Sequence, residues 1–335
     1  MLRKTKILLI IVCVMAAVTL SLYADAAEKI TRLLIGSTST TSSFYSYNVG
    51  AAKAINRLAP GINATVVATQ ASVDNIERIR KGQLDMGLTG DNAVYEAYNG
   101  LKRWQGKPNP EFRWIWGYIM QPVTIIVRKD SGIKSIYDLN GKLFHAGNTG
   151  SSTEQMVTGA FEVLGIKPQY YKGAWSDSGM AIMDNRIVGL AKNASSVDTP
   201  DALILEIQTK IPITVLAFSE DNMKKIKAKY PYYLDLHLQP NIYKGQTSEV
   251  YCIGQATGTI TTKDVMSNEV AYKVIKAIVE GIEDQAAAFP AVKGKNLCEM
   301  TLQTAPIPLH AGSVKYLKEK GYKVPAKLIP PEYKD

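Results

Sequence analysis

Cysteine and histidine are scarce here, with three of each in 335 residues and no C-x-x-C spacing. Cys13, Cys252 and Cys298, with His145, His237 and His310, are too few and too scattered for a thiolate zinc site, a redox dithiol or a His-rich metal site. No cofactor or metal is therefore expected. Catalytic signatures are also missing: there is no G-x-S-x-G, no H-E-x-x-H, no phosphate loop and no dinucleotide-binding G-x-G-x-x-G. The chain does not read as an enzyme. Its net charge is +9, yet no five like charges run together, which speaks against a nucleic-acid arm. An apolar content of 46% against 21% charged residues excludes wholesale disorder, and the length favours two domains.

The first segment reads as an export address. Arg3, Lys4 and Lys6 precede an apolar run of sixteen residues from Ile7 to Leu22, then Ala24-Asp25-Ala26 supplies an A-x-A cleavage signal. That run is shorter than the ~20 residues a spanning helix needs, so a cleaved signal peptide over 1–26 is expected, with the mature chain beginning at Ala27. Loss of three cations and Asp25 leaves the mature protein at +7, exported to the periplasm and soluble. Whether Cys252 and Cys298 pair in that oxidising compartment is left open by the sequence.

Beyond the signal one theme repeats: a short β-branched run, a loop of small polar residues, then a helical period. Such alternation argues for α/β lobes with largely parallel sheets. Thr31 to Ile35 leads into Gly36 and seven Ser or Thr residues, then Val49, Ala52, Ile55 and Ala59 at helical spacing. Ala64 to Ala68 leads into Thr69-Gln70-Ala71-Ser72, and Met86-Gly87-Leu88 into Thr89-Gly90-Asp91-Asn92. Val123 to Val127 looks like a crossover into a second lobe, where Lys142 to His145 leads into the loop from Gly147 to Thr153. Glu249 to Gly254 is the expected return strand, and Val270, Val274, Ile278 and Ile282 share a face in the helical carboxy-terminal part. The expected division is 27–123 plus 256–335 for lobe 1 and 124–255 for lobe 2, with a cleft between them. Ligands sit beyond the carboxyl ends of strands in such sheets, where the polar loops lie.

Hydroxyls and helix-start amides in those loops can hold a carboxylate, although each Ser or Thr there is also a ready helix cap. The aromatic residues from Trp114 to Tyr118, and Trp175, read either as walls of a small-molecule site or as core. His310 reads as a structural histidine, and Asp85 and Glu96 as turn or helix-surface residues. With no motif arginine in the loops, compensation of a ligand's charge is expected from amide dipoles.

The motifs in order resemble a known family, the TAXI-type extracytoplasmic solute receptors of tripartite ATP-independent periplasmic (TRAP) transporters. Ile35 to Tyr45 is similar to the family's I-G-T-G-S-x-G-G-x-Y-Y, with Thr38, Thr41 and Ser42 in place of glycines. Thr69 to Asn75 is similar to T-x-x-S-V-x-N, Gly82 to Gly87 to G-x-x-D-L-G, Ala97 to Gly100 to A-Y-x-G, and Ser135 to Lys142 to S-I-x-D-L-x-G-K. Gly150 to Thr153 is like G-S-G-T, Tyr243 to Gln246 like Y-x-G-Q, and Pro308 through Gly321 like P-L-H-P-G-A-x-x-Y-x-x-x-G. Asp91-Asn92 replaces the usual S-D pair. The resemblance implies a type II periplasmic-binding-protein fold, two α/β lobes with a cleft. It also implies a monomer that captures a small organic acid or amino acid and delivers it to a TRAP membrane permease. A ligand sensor docking on a histidine kinase would use the same fold. Carried over by position, the pocket candidates are Ser39, Thr40, Ser43 and Tyr45 from the first loop, Ser72 and Asn75 from the second, and Ser151, Ser152 and Thr153 from the opposing lobe, with Asn92 and Trp175 added.

Overall fold

The β-branched runs form strands, and the Ser-rich segments after them cap helices. A computed structural model describes residues 30–334 except 41, so the expected signal segment and its cleavage point lie outside the described residues. The first half runs β1 (Thr31–Gly36), α1 (Ser43–Leu58), β2 (Ile62–Val67), α2 (Ser72–Arg80), β3 (Met86–Gly90), α3 (Asp91–Asn99) and β4 (Phe112–Arg128). Next come β5 (Leu143–His145), α4 (Ser152–Leu164), β6 (Gln169–Tyr170), α5 (Trp175–Met183), β7 (Gly189–Asn193), α6 (Ala202–Lys210), β8 (Ile213–Leu216), α7 (Glu220–Lys229) and β9 (Leu234–Leu238). The chain then returns through β10 (Val250–Thr262) to α8 (Asn268–Glu280), α9 (Ile282–Ala288), α10 (Leu297–Thr304) and α11 (Ala311–Glu319).

Strand order is β2-β1-β3-β10-β4-β7-β5-β6, with β8 on β4 and β9 on β10. β1 pairs parallel with β2 and β3, and β5 with β6 and β7, whereas β4 and β10 run antiparallel to each other and to their other neighbours. These two strands belong to both lobes. β4 pairs with β10 as far as Pro122, then with β7 from Val123. Its partner changes at a residue that has no N–H to give to a ladder.

One apolar core packs β1 to β3 and the first part of β4 against α1, α8 and α11, with Ile35, Ile55, Trp116, Ile278 and Leu317 inside. Two further cores cover the faces of the second sheet. Val123, Ile125 and Val127 of β4 enter one and Ile126 the other, the period-2 alternation of a strand buried on both sides. Trp114 to Tyr118 belong to the first core. Trp114 lies over Gly258, where an added Cβ would stand 2.1 Å from the indole, so only glycine admits that ring.

Several expectations are corrected. The return strand extends to Thr262 and the first crossover strand begins at Phe112, because each is stitched to the other across both lobes. Val49 is 46% exposed; the buried stripe of α1 is Tyr47, Ala51, Ala54 and Ile55. α8 ends at Glu280, and Ile282 opens the next helix. Cys252 and Cys298, whose pairing the sequence leaves open, are free buried thiols in different cores.

Candidate functional site

The carboxyl ends of β1, β2 and β3 face that of β5 across the junction of the lobes, and each is followed by a helix start. Ser42 caps α1 by accepting from the Phe44 amide at 3.3 Å, and Ser151 caps α4 by accepting from the Glu154 amide at 3.1 Å. Between these helix starts lies a small cavity. Thr38, Phe44, Ala71, Ser72, Leu88 and Gly90 line it from one side, and Ser151, Ser152, Thr153, Trp175, Lys192 and Asn193 from the other. Gln121 of β4 and Gln255 and Thr257 of β10 form its floor. Its volume is about 30 Å³, room for about two waters. An outer pocket of about 440 Å³ shares Trp175 and Lys192 with it and is lined further by Ser39, Met180, Met183, Leu203 and Glu206.

The lobes touch directly at the cavity. The Val73 amide donates to the Gly150 carbonyl at 3.3 Å, and Asn92 Nδ2 to the Ser152 carbonyl at 3.2 Å. A Cβ at Gly90 would fall 2.5 Å from Ser152 Oγ, so a side chain there would hold the lobes apart. Ala71 adopts φ 76° and ψ −151° at the start of α2, a region almost reserved for glycine and costly for alanine. The strain is located in the cavity wall itself.

Polar order in the floor comes from a chain of side chains. Thr257 Oγ1 donates to Gln121 Oε1 at 2.6 Å, Gln121 Nε2 to the Ala194 carbonyl at 3.1 Å, and Thr153 Oγ1 to Asn193 Oδ1 at 2.8 Å. Gln255 Oε1 is buried without a partner. Ser72 Oγ accepts from the Gly90 amide at 3.1 Å, which leaves its hydroxyl proton to donate elsewhere. Lys192 is the one charged side chain among the described residues that line the cavity, and its Nζ lies 3.1 Å from Asp201 Oδ2 and 4.3 Å from the Trp175 ring centre.

Of the residues expected from sequence, Ser72, Ser151, Ser152, Thr153 and Trp175 line the cavity together. Ser39 faces the outer pocket. Thr40 is exposed, and Ser43 and Tyr45 lie half-buried on α1 outside both spaces. Asn75 braces the lobe beneath, donating to the carbonyls of Ser37 and Leu88 at 2.9 and 2.8 Å. Asn92 ties the lobes together. Lys192 adds a charged side chain beside the helix-start amides expected from sequence. Sequence reasoning missed it along with Thr38, Phe44, Gln121, Asn193, Gln255 and Thr257; a polar residue inside an otherwise apolar strand was the available signal for the strand-borne ones.

His310 is structural. Its Nδ1 accepts from the Gly312 amide at 3.2 Å, its Nε2–H meets the Met266 carbonyl at 3.1 Å, and burial holds its pKa below the usual histidine range. Glu96, expected on a helix surface, is fully buried, paired with Lys102 at 3.0 Å and Tyr232 at 2.9 Å. Among the described residues no cluster of His, Cys, Asp and Glu could hold a metal, and no helix is long and apolar enough to cross a membrane.

Two α/β lobes joined by two long strands, with a cavity where the lobes meet, make up the two-lobe fold seen in periplasmic binding proteins. Several solved structures share this fold. The periplasmic binding protein BugD matches with TM-score 0.53 and 12% identity over 87% of this chain and 97% of its own. The substrate-binding protein of an amino acid ABC transporter matches with TM-score 0.50 and 13% identity over 79% of this chain and 100% of its own. A protein of Bordetella bronchiseptica RB50 gives TM-score 0.51 and 15% identity over 91% and 92%. The chain belongs to the NMT1-like family, whose model matches residues 35–321.

Proposed function

We propose that this protein is an exported, monomeric solute receptor that captures a small organic acid or amino acid by its carboxylate. It releases that ligand to a membrane permease and performs no chemistry on it. The observation that carries this reading is the cavity at the lobe junction, which Ser72, Ser151, Ser152 and Lys192 line together. Hydroxyls and helix-start amides are carboxylate donors. In this reading lobe 1 is 27–123 with 256–335, lobe 2 is 124–255, and the ligand bridges them. The ordered motif resemblance to TAXI-type receptors supports a TRAP permease as the partner.

The test is calorimetric titration of the chain from Ala27 onward with acetate, hexanoate, succinate, L-glutamate and L-leucine, beside Ser72→Ala. At least one acid is expected to bind, with affinity falling about 10- to 100-fold in the variant when a hydrogen bond to a charged group is lost. Absence of binding by every acid, or conversion of a bound acid seen by mass spectrometry, would overturn the reading.

A further inference from the structure

The inner cavity and the outer pocket share one wall, made by Trp175 and Lys192, and they differ in chemistry. The inner space has a volume of only about 30 Å³ among hydroxyls and amides, enough for two oxygen-sized atoms. A carboxylate group has that size; the body of an amino acid does not. The outer pocket offers about 440 Å³ beside the Trp175 ring, with Met180, Met183 and Leu203 along it.

Lys192 stands at the junction and is held in place from two sides. Asp201 Oδ2 lies 3.1 Å from its ammonium, and the face of Trp175 lies 4.3 Å away. Asp201 is itself engaged elsewhere, since its Oδ1 accepts from the amides of Leu203 and Ile204 at 2.9 and 3.2 Å at the start of α6. Part of its charge is thus answered by the helix dipole, and the lysine retains positive character toward the cavity. An ammonium has three N–H donors. One meets Asp201 and another side faces the indole, which leaves a donor for a ligand oxygen.

We propose that the ligand is an amphipathic monocarboxylate, with its carboxylate in the inner cavity on Lys192 and its apolar body running past Trp175 along Met180 and Leu203. This rests on the receptor reading above and narrows it. A compact dicarboxylate would have to place its second charge beside Met180, Met183, Leu203 and the like-charged Glu206 in the outer pocket, where the Glu206 carboxylate repels it.

The probes are acetate, butyrate, hexanoate, succinate and hexanamide, titrated calorimetrically. Wild-type affinity is expected to rise from acetate to hexanoate by about fourfold per methylene, with hexanoate at least tenfold tighter than its neutral amide. Lys192→Met removes the partner of a buried carboxylate and risks the fold, so the double variant Lys192→Met/Asp201→Asn accompanies it. In either folded variant the preference for hexanoate over hexanamide should vanish. Met180→Glu, at a side chain 51% exposed, should weaken hexanoate by a larger factor than acetate. Equal binding of acetate and hexanoate, or succinate tighter than hexanoate, overturns the amphipathic class while the receptor reading stands. A retained acid-over-amide preference in the double variant overturns Lys192 as the anchor. Failure of every acid to bind overturns both readings.

Discussion

Loss of the Tyr232 hydroxyl should favour separation of the lobes. The segment from Tyr230 to Tyr233 lies between α7 and β9 in the second sheet's lobe and reaches α3 in the first. There Tyr232 donates to Glu96 Oε1 at 2.9 Å and stacks on Tyr95 with ring centres 4.5 Å apart. Lys102 pairs with the same carboxylate at 3.0 Å, donates to Tyr233 Oη at 2.9 Å and stands 3.9 Å from the Tyr230 ring centre. Glu96 is fully buried, and its other oxygen, Oε2, has no partner. Separation of the lobes would return Glu96 to water, so the contact counts only when they meet. Tyr232→Phe keeps the ring and deletes one hydrogen bond to a charged acceptor, worth about 1.5–3 kcal/mol. Lys102 is 26% exposed, which places the effect toward the lower end. The ratio of closed to open molecules should then fall by about tenfold, at 1.36 kcal/mol per decade. The assay is double electron–electron resonance between spin labels at the exposed positions Lys224 and Lys276, one in each lobe. The buried native thiols Cys252 and Cys298 are shielded from label. A longer-distance population appearing only in Tyr232→Phe is expected. A distribution identical to wild type would refute the argument that this contact biases closure.

Two further outcomes follow from the geometry. Ala71→Gly should raise stability in urea unfolding by about 0.5–2 kcal/mol, because relief of about 1–3 kcal/mol of backbone strain exceeds the ~0.5–1 kcal/mol that glycine loses in entropy; destabilisation would show that the Ala71 methyl packs productively. Asp91, 5% exposed at the start of α3, has its pKa pushed up to about 7 by burial, against the amide of Asn92, which donates to it at 2.7 Å. Its folded pKa lies above its unfolded one, so its contribution is fully present below pH ~4 and is lost as pH rises to about 7. Asp91→Asn should flatten the fall in Tm over that range, and a parallel fall in wild type and variant would refute the assignment.

The repeating strand, loop and helix units were legible because they are local. β1 and β2 show β-branched character within a few residues, and the Ser-rich segments after β1 and β5 carry their own capping chemistry. The extent of β4 was not legible, since Gly117 and Pro122 punctuate its sequence as turns would. Both are tolerated for tertiary reasons. Gly117 leaves room for the Thr304 hydroxyl, which an added Cβ would meet at 1.9 Å, and Pro122 sits where the strand exchanges partners. Glu96 was misread for a related reason: Tyr232, which buries its carboxylate, comes 136 residues later.

The same distance in sequence explains which half of the cavity could be read. Ser72 and Ser151 to Thr153 lie on loops whose composition announces a helix start, whereas Gln121, Asn193, Gln255 and Thr257 lie in strands and acquire meaning only when β4, β7 and β10 are laid side by side. The Gln121–Thr257 bond again joins residues 136 positions apart. In the receptor we propose, these two halves do different work when the lobes close. The floor is made of the strands that connect the lobes, so rotation of one lobe against the other displaces it little, and a ligand resting there gains nearly the same contacts whether the lobes are apart or together. Ser72 and Ser152 stand on opposite loops, where rotation changes separation most. A ligand can shift the equilibrium only through contacts that differ between the two states. In the proposed receptor the loop hydroxyls and the Glu96–Tyr232 contact therefore control closure, while Gln121 and Gln255 set what the floor accepts.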